Sequence, residues 1–436
     1  MTSKLQKDFT VAIIGGGVVG LVCAIGLARA GVQVDLFEAA SKYGEIGAGI
    51  GIGHNALRVF EAMGILEDIN KATQGPRLPF FTFLLGADPH TIIYQFPDDM
   101  VEKDQGLGVH RASLIKALAS LLPSSVRSHF RMRCVGVTAA PNGRAEVRFA
   151  DGSVHAADIV IGADGIKSVV RGQVLGDKGE RLVDTGHRCY RSLFPVQRLL
   201  DAGVDTTTLA PRGWMGPSKH LVSYRIGDGS MFNLAAFATD HDKVNVPAGP
   251  QTSWADWVSP VPRAELLDAM SDFGSDARAI LECTDESVTK WKIHGLYPPL
   301  ETHVGSAPSE DGGEGKLNVV LIGDAAHAMV PYLASGASAG IEDAYVLASL
   351  LGHPQTGRAN LSDILRVYNT VHVPRAAYIA NASKRAGEVY HGRGPSGPSD
   401  EGRRKDLDSQ WTSIWDYDVK AEVAKAIEVL VGAGVF

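Results

Sequence analysis

The chain has 436 residues, too many for a single hydrophobic core, so two or three structural units are expected. Its 45% hydrophobic and 21% charged residues are those of an ordinary folded protein and exclude a disordered, collagen-like or disulfide-scaffold chain. A formal net charge of -7 without any basic run argues against nucleic acid as a partner, and four widely spaced cysteines with no CxxC pair fit a reduced, cytoplasmic protein.

Residues 9–14 (FTVAII) are a short apolar run ahead of three glycines, the pattern of a strand buried on both faces of a parallel sheet. Residues 18–30 read as a helix stopped by Gly31, and 32–38 (VQVDLFE) as a second strand. Strand, glycine turn, helix and strand in so short a span make a right-handed βαβ unit. The uncharged stretch 11–28 is long enough to be weighed as a membrane span. Gly15, Gly16 and Gly17 decide against it, because they would break such a helix and sit where a buried strand should turn.

Helices are expected at 55–63 and 113–121, the second following a turn at 106–108. A hairpin around Asp151-Gly152 should join 145–149 to 154–156. Residues 158–162 (DIVIG) and 317–323 (LNVVLIG) are two more buried-type strands, each running straight into an aspartate. Between about 181 and 294 the chain is richer in aromatic residues and short β-like runs, among them 220–226 and 231–238, and is read as a separate, inserted sheet domain. Residues 305–315 and 392–402 have loop composition, and 421–431 has helical spacing.

Three motifs carry chemistry. In Gly15-x-Gly17-x-x-Gly20 the first glycine permits a tight turn, the second admits a pyrophosphate, and the third lets helix and strand pack. The helix that follows points its N-terminal NH groups at the phosphates, and Glu38, ending the second strand, is placed to accept hydrogen bonds from a ribose. Asp164-Gly165 follows the third strand, where a plain strand-ending turn is the competing reading. Gly323-Asp324 follows the fourth, with Pro331 and then Ser335-Gly336-Ala337 opening a helix whose N-terminus would stabilise negative charge on a ligand.

These motifs, in this order from residue 11 to about 348, resemble the group A (single-component) FAD-dependent aromatic hydroxylases. The wording at 45–50 (EIGAGI) and 331–337 (PYLASGA) is most similar to fungal salicylate hydroxylases and related phenol hydroxylases, although many relatives carry a Gln next to the glycine where this chain has Ser335-Gly336-Ala337. The resemblance implies an α/β, Rossmann-type FAD-binding domain at 1–75, 105–180 and 295–390. It also implies an inserted α+β substrate domain, as in para-hydroxybenzoate hydroxylase, at 76–104 and 181–294, and a C-terminal loop and helix at 391–436.

By the same resemblance, Gly15, Gly17, Gly20 and Glu38 hold the ADP part of FAD, and Asp164 and Gly165 touch FAD and help to hold NADH or NADPH. Gly323 and Asp324 contact its ribityl and phosphate part, Arg111 reaches it, and Pro331, Gly336 and Ala337 lie at the ring. His327 is a candidate flavin-side residue. The implied reaction is reduction of FAD by NAD(P)H, addition of O2 as a C4a-hydroperoxide, and oxygen transfer to an activated phenolic ring. Arg191 and Tyr224 match substrate-side positions, Arg191 to pair with a carboxylate or phenolate and Tyr224 to donate a hydrogen bond; His220 is the weaker candidate.

The leading reaction is salicylate to catechol with loss of CO2. The alternatives are hydroxylation or dearomatisation of another phenol or hydroxy-heteroaromatic, an FAD reductase or halogenase, and a flavin-binding sensor. The partners are then a small aromatic substrate and O2, with the C-terminal helix a candidate homodimer interface. No HExxH, no Cys/His cluster and no GxSxG elbow is present, so neither a metal nor a serine hydrolase is expected.

Overall fold

A computed structural model describes residues 6–44, 49–73, 77–78, 80–97, 106–140, 142–176, 181–226, 229–248, 254–307, 317–408 and 410–436. Thr10–Ile14 has no polar face, so only a central place in a covered sheet satisfies it. It pairs in parallel with Gln33–Glu38 on one side and Ile159–Gly162 on the other. Arg127–Phe130 extends the sheet in one direction and Leu317–Leu321 in the other, with Val304–Ser306 antiparallel at the far edge. This six-stranded sheet is the α/β arrangement that the βαβ unit requires. The helix Val18–Arg29 packs on Gly336–Leu351, and Gly26 lets them meet, since a Cβ there would lie 2.8 Å from Ala348 Cβ.

A second sheet of nine strands runs in the order Val258–Pro262, Ser287–Leu296, Leu182–Pro195, Met231–Thr239, Lys219–Ile226, Arg212–Gly216, Thr82–Leu85, Ile92–Tyr94, with Val246–Pro247 paired to Leu182–Pro195. Alternation along its strands sends Tyr190, Trp214, Leu221, Phe232 and Leu234 to one face, which packs against residues of Arg263–Ala269 and Ser275–Glu282. The opposite face carries Cys189, Arg191, His220, Val222, Tyr224, Asn233, Ala235 and Phe237, and all of these line a cavity. Helices Asp400–Asp408, Thr412–Trp415 and Val419–Gly432 complete the chain. Among the described residues no helix is long and apolar enough to cross a membrane.

Most expected elements are present, including the Asp151-Gly152 hairpin, where Asp151 Oδ1 accepts from Ser153 N at 2.9 Å. Three local expectations are corrected. Residues 106–108 are not a turn but lie in the strand Gly106–His110, paired antiparallel with Gly49–Ile52. A Cβ at Gly106 would sit 2.5 Å from the Ile52 carbonyl oxygen, so this glycine serves close strand approach. Residues 400–402 are helical rather than loop, and Gly402 is there because a Cβ would meet Ser396 O at 2.4 Å. Gly305 belongs to the edge strand Val304–Ser306, while 308–315 of that expected loop lies outside the described residues, as does 45–48 of the EIGAGI segment.

The 30-residue helix Leu361–Tyr390 has no counterpart among the sequence expectations. Pro374 in its interior removes a backbone donor, and the helix persists because residues such as Ile364, Leu365, Tyr368 and Ile379 are buried by tertiary packing.

Candidate active site

The glycine turn behaves as its motif predicts. Gly15 has φ +110°, and a Cβ there would lie 2.2 Å from the Ala163 carbonyl oxygen, so no other residue fits. A Cβ at Gly20 would lie 2.0 Å from Gly15 O, which is the close helix-to-strand contact expected of the third glycine. Gly17 is different. It caps Val18–Arg29 without any side-chain hydrogen bond, and nothing lies within 4 Å of where its Cβ would be. The first-turn NH groups of that helix thus have no side-chain cap, and the space beside Gly17 is open, which suits an anion. Glu38 is held at the same turn, accepting from Gly16 N (2.8 Å) and Ala40 N (2.7 Å), with lone pairs left for hydroxyl donors.

Asp164 spends its carboxylate locally, accepting from Ser168 Oγ (2.5 Å), Val169 N (2.8 Å) and Val170 N (3.2 Å). Burial raises its pKa despite those bonds. These contacts are those of a turn-and-cap residue, with Gly165 at φ +75° completing the turn. Neither lines the large cavity.

Gly323 (φ +62°) places Asp324 at the start of the short helix Asp324–His327 and at the cavity wall. Arg111 opens the helix Arg111–Ser120. Burial lowers its pKa, and the charge of Asp324 opposes that shift, which puts the carboxylate within electrostatic reach of the guanidinium. Pro331, Gly336 and Ala337 line the cavity beside Asp324. Gly336–Leu351 also starts without a side-chain cap, and Ala334, just ahead of it, is held at φ +51°, a left-handed conformation that a non-glycine residue tolerates at a cost.

The cavity encloses about 460 Å³ between this loop and the open face of the nine-stranded sheet. Its lining is largely apolar, with Phe80, Phe81, Phe83, Phe96, Trp291, Trp411 and Trp415 supplying aromatic surface. Arg191 and Tyr224 are both in it. Among the described residues, no hydrogen bond or ion pair to a protein group is found for the Arg191 guanidinium, and no carboxylate neutralises it. Burial raises the Tyr224 pKa while the Arg191 charge opposes that shift, which places the cation within electrostatic reach of the phenol. A Cβ on Gly49 would lie 3.9 Å from Tyr224 Oη, so the tyrosine reaches the strand Gly49–Ile52. His220 is also in the wall, its ring stacked on Phe237 at 4.5 Å.

His327 does not face the cavity. Its Nε2 lies 2.6 Å from Asp343 Oδ2, and the same oxygen accepts from Gly323 N at 2.7 Å. Asp343 Oδ1 lies 2.7 Å from His372 Nε2, and His372 Nδ1 lies 2.9 Å from Glu422 Oε1. The expectation of a flavin-side His327 is therefore corrected: the ring is drawn inward by a buried carboxylate and braces the Gly323-Asp324 loop from behind. Sequence reasoning missed Asp343, His372 and Glu422, which converge from three helices with no spacing that links them. Trp411 and Trp415 were legible in principle, because Trp411, Ile414 and Trp415 fall at i, i+3 and i+4.

Comparison with known proteins bears directly on this arrangement. A sequence-family model described as an FAD binding domain matches residues 8–184 and 313–383. A salicylate hydroxylase of Pseudomonas putida is 33% identical over 435 residues, covering 95% of this chain and 94% of the relative. The chain is an FAD-dependent monooxygenase of the salicylate hydroxylase family. A solved structure described as a salicylate hydroxylase substrate complex superposes with a TM-score of 0.83 at 30% identity, covering 96% of this chain and 98% of that one. A 3-amino-4-hydroxybenzoate 2-monooxygenase of Streptomyces platensis is 29% identical, covering 93% of this chain and 94% of the relative.

The residues present in this monooxygenase fit FAD. Two helices, Val18–Arg29 and Gly336–Leu351, begin without side-chain caps, and the space beside Gly17 is open. Replacing Asp324 with alanine is expected to lower FAD retention, because it removes a hydroxyl acceptor at the cavity wall and a negative charge within electrostatic reach of Arg111. The check is the flavin-to-protein absorbance ratio of the purified variant, and full occupancy would count against this role for Asp324.

Proposed function

We propose that this monooxygenase hydroxylates a phenolic aromatic acid with NADH or NADPH and O2, the favoured reaction being salicylate to catechol with loss of CO2. The observation that carries this reading is Arg191: a cation on the wall of a largely aromatic cavity, with no ion pair to a carboxylate among the described residues. Arg191 is half-buried, and an anionic substrate in the cavity would give this cation the partner that the described residues do not supply. Bound FAD supplies the two-electron exchange with NAD(P)H and the transfer of one O2 oxygen to the ring.

The protein's own part is positioning. Arg191 binds the carboxylate or the phenolate, and its charge favours the ionised phenol, which is the more nucleophilic ring. Tyr224 donates a hydrogen bond to the same oxygen and remains protonated because its own pKa is raised by burial. The aromatic lining holds the ring plane and excludes water. Gly15, Gly17, Gly20 and Glu38 take the ADP part of FAD. Asp164, Gly165, Arg111, Gly323 and Asp324 hold the rest, with Pro331, Gly336 and Ala337 at the ring. Residues 76–104 and 181–294 act as the substrate domain on the FAD-binding segments 1–75, 105–180 and 295–390, with 391–436 closing the cavity. The four free cysteines favour a cytoplasmic enzyme.

In the net reaction one oxygen atom enters the ring carbon that loses CO2, the other leaves as water, and the nicotinamide supplies both electrons. Mass analysis of products after incubation with FAD, NADH, O2 and salicylate is the test. Catechol and CO2 are expected. NADH consumption and a hydroxylated product only with a different phenol would replace salicylate as the substrate, and no turnover of any phenol would overturn the reading.

A further inference from the structure

One register row of the nine-stranded sheet runs along the cavity floor. Arg191 pairs with Ala235, Ala235 with Val222, Val222 with Gly213, and Gly213 with Phe83, and each of these residues lines the cavity. Between its ends the row carries only the short side chains of Ala235 and Val222 and the bare backbone of Gly213. The flanking rows carry longer ones, Phe237 and His220 on one side and Asn233 and Tyr224 on the other. The floor is therefore a trough. Four interstrand spacings of about 4.8 Å put roughly 19 Å of sheet between the backbones of Arg191 and Phe83.

The two ends differ in chemistry. Arg191 makes one end cationic, and the other is aromatic. The Phe83 ring covers Gly213, where a Cβ would lie 2.7 Å from Phe83 Cδ1, and it packs on Trp411 at 5.4 Å. Phe96 lies 4.8 Å from Trp411 and 4.5 Å from Phe80, and Phe80 meets Trp415 edge-on at 5.3 Å. Phe80 and Trp415 are only half-buried, so their rings offer apolar surface to the cavity. Trp415 is also firmly held. Arg375, paired with Glu342 through contacts of 3.1 and 3.2 Å, donates to Ser413 O and Ile414 O at 2.9 Å each, and Arg58 donates to Trp415 O.

We propose that the substrate is an aromatic acid with an apolar group opposite its carboxylate, and that Trp415 selects for this group. The inference rests on the phenolic-acid reading above and narrows it. An acid held only at Arg191 leaves the aromatic end uncovered. One that also reaches Phe80 and Trp415 removes apolar surface on both partners from water, at about 0.8 kcal/mol for each buried CH2. The low floor admits such a ligand lengthwise. Pro331, Gly336 and Ala337, assigned above to the flavin ring, come from the facing loop and helix and not from the trough. On a salicylate skeleton with its carboxylate on Arg191, the position that continues along the row is C4, para to the carboxylate.

The test compares kcat/KM of the FAD-loaded enzyme for salicylate and its 4-methyl, 4-propyl and 4-phenyl derivatives, reading NADH oxidation and product mass together. Wild type should favour the 4-propyl or 4-phenyl acid over salicylate by about tenfold or more, mainly through KM. In Trp415→Ala that ratio should fall by about tenfold, and Trp415→Phe should keep part of it. Because both substrates report on the same folded molecules, a loss of folded enzyme does not move the ratio. An extended acid that is no better than salicylate in wild type, or an unchanged ratio in Trp415→Ala, would overturn the proposal and leave the phenolic-acid reading standing. No hydroxylated product from any of these acids would overturn that reading as well.

Discussion

Replacing His372 with leucine is expected to lower the free energy of unfolding by about 3–5 kcal/mol, the usual cost of removing one partner from a buried ionic cluster. Leucine fills similar space, but it leaves the carboxylates of Asp343 and Glu422 without the imidazole that links them. Burial pulls the His372 pKa down, yet the hydrogen bonds and charges of Asp343 and Glu422 win and raise it to about 10. Burial likewise pushes Asp343 up, and the charges and hydrogen bonds of His327 and His372 hold it well below the carboxylate range.

The signs of the two shifts define a pH window. A histidine raised from 6.5 to about 10 contributes its full stability below 6.5 and loses it as the pH rises through about 10. A carboxylate depressed below 3.8 contributes above 3.8 and loses that contribution as the pH falls. The gap between wild type and His372→Leu should therefore be widest between these two ordinary values and close towards pH 10. Denaturant midpoints measured across that range check it, and a gap independent of pH would show that packing, not charge, holds the cluster. Because Asp343 also accepts from Gly323 N, FAD retention should fall in the same variant.

Replacing Arg191 with leucine is expected to lower kcat/KM for an aromatic acid about ten- to hundredfold, from the roughly 1.5–3 kcal/mol that a hydrogen bond to a charged group contributes. FAD content should not change, because among the described residues no hydrogen bond or ion pair joins this side chain to the first glycine turn or to the Asp324 loop. Arg191→Lys should recover only part of the loss, since an ammonium cannot reproduce the paired geometry of a guanidinium on a carboxylate. The comparison that decides the role uses a phenol with no carboxyl group. If both substrates lose rate equally, Arg191 acts on the phenolate instead; if neither does, it is not in the site.

Several features of the active site could be read directly from residues. Gly15, Gly17 and Gly20 work as a motif because each answers a local steric demand, and such demands are written in adjacent positions. Arg191 and Tyr224 were found by resemblance, and the structure brings them to one cavity although they sit on strands separated by Met231–Thr239. His327 went the other way. Its position after Gly323-Asp324 suggested a ligand, but a histidine beside a strand end can turn either way, and the buried Asp343 sixteen positions later drew it inward.

By itself, the sequence determined the parallel sheet, the glycine turn and the strand-ending aspartates, because apolar runs and tight turns are local consequences of sterics and burial, while the FAD-dependent class was legible through the family resemblance those motifs carry. Only the tertiary structure decided which face of the nine-stranded sheet meets the cavity and that Trp411 and Trp415 help to line it. It likewise decided that His372 and Glu422 brace the cofactor loop, and that His391 meets His220 across 171 positions. Those contacts join residues from separate helices and strands, and no local pattern encodes them: they follow from buried polar groups having to find partners wherever the packed chain places them.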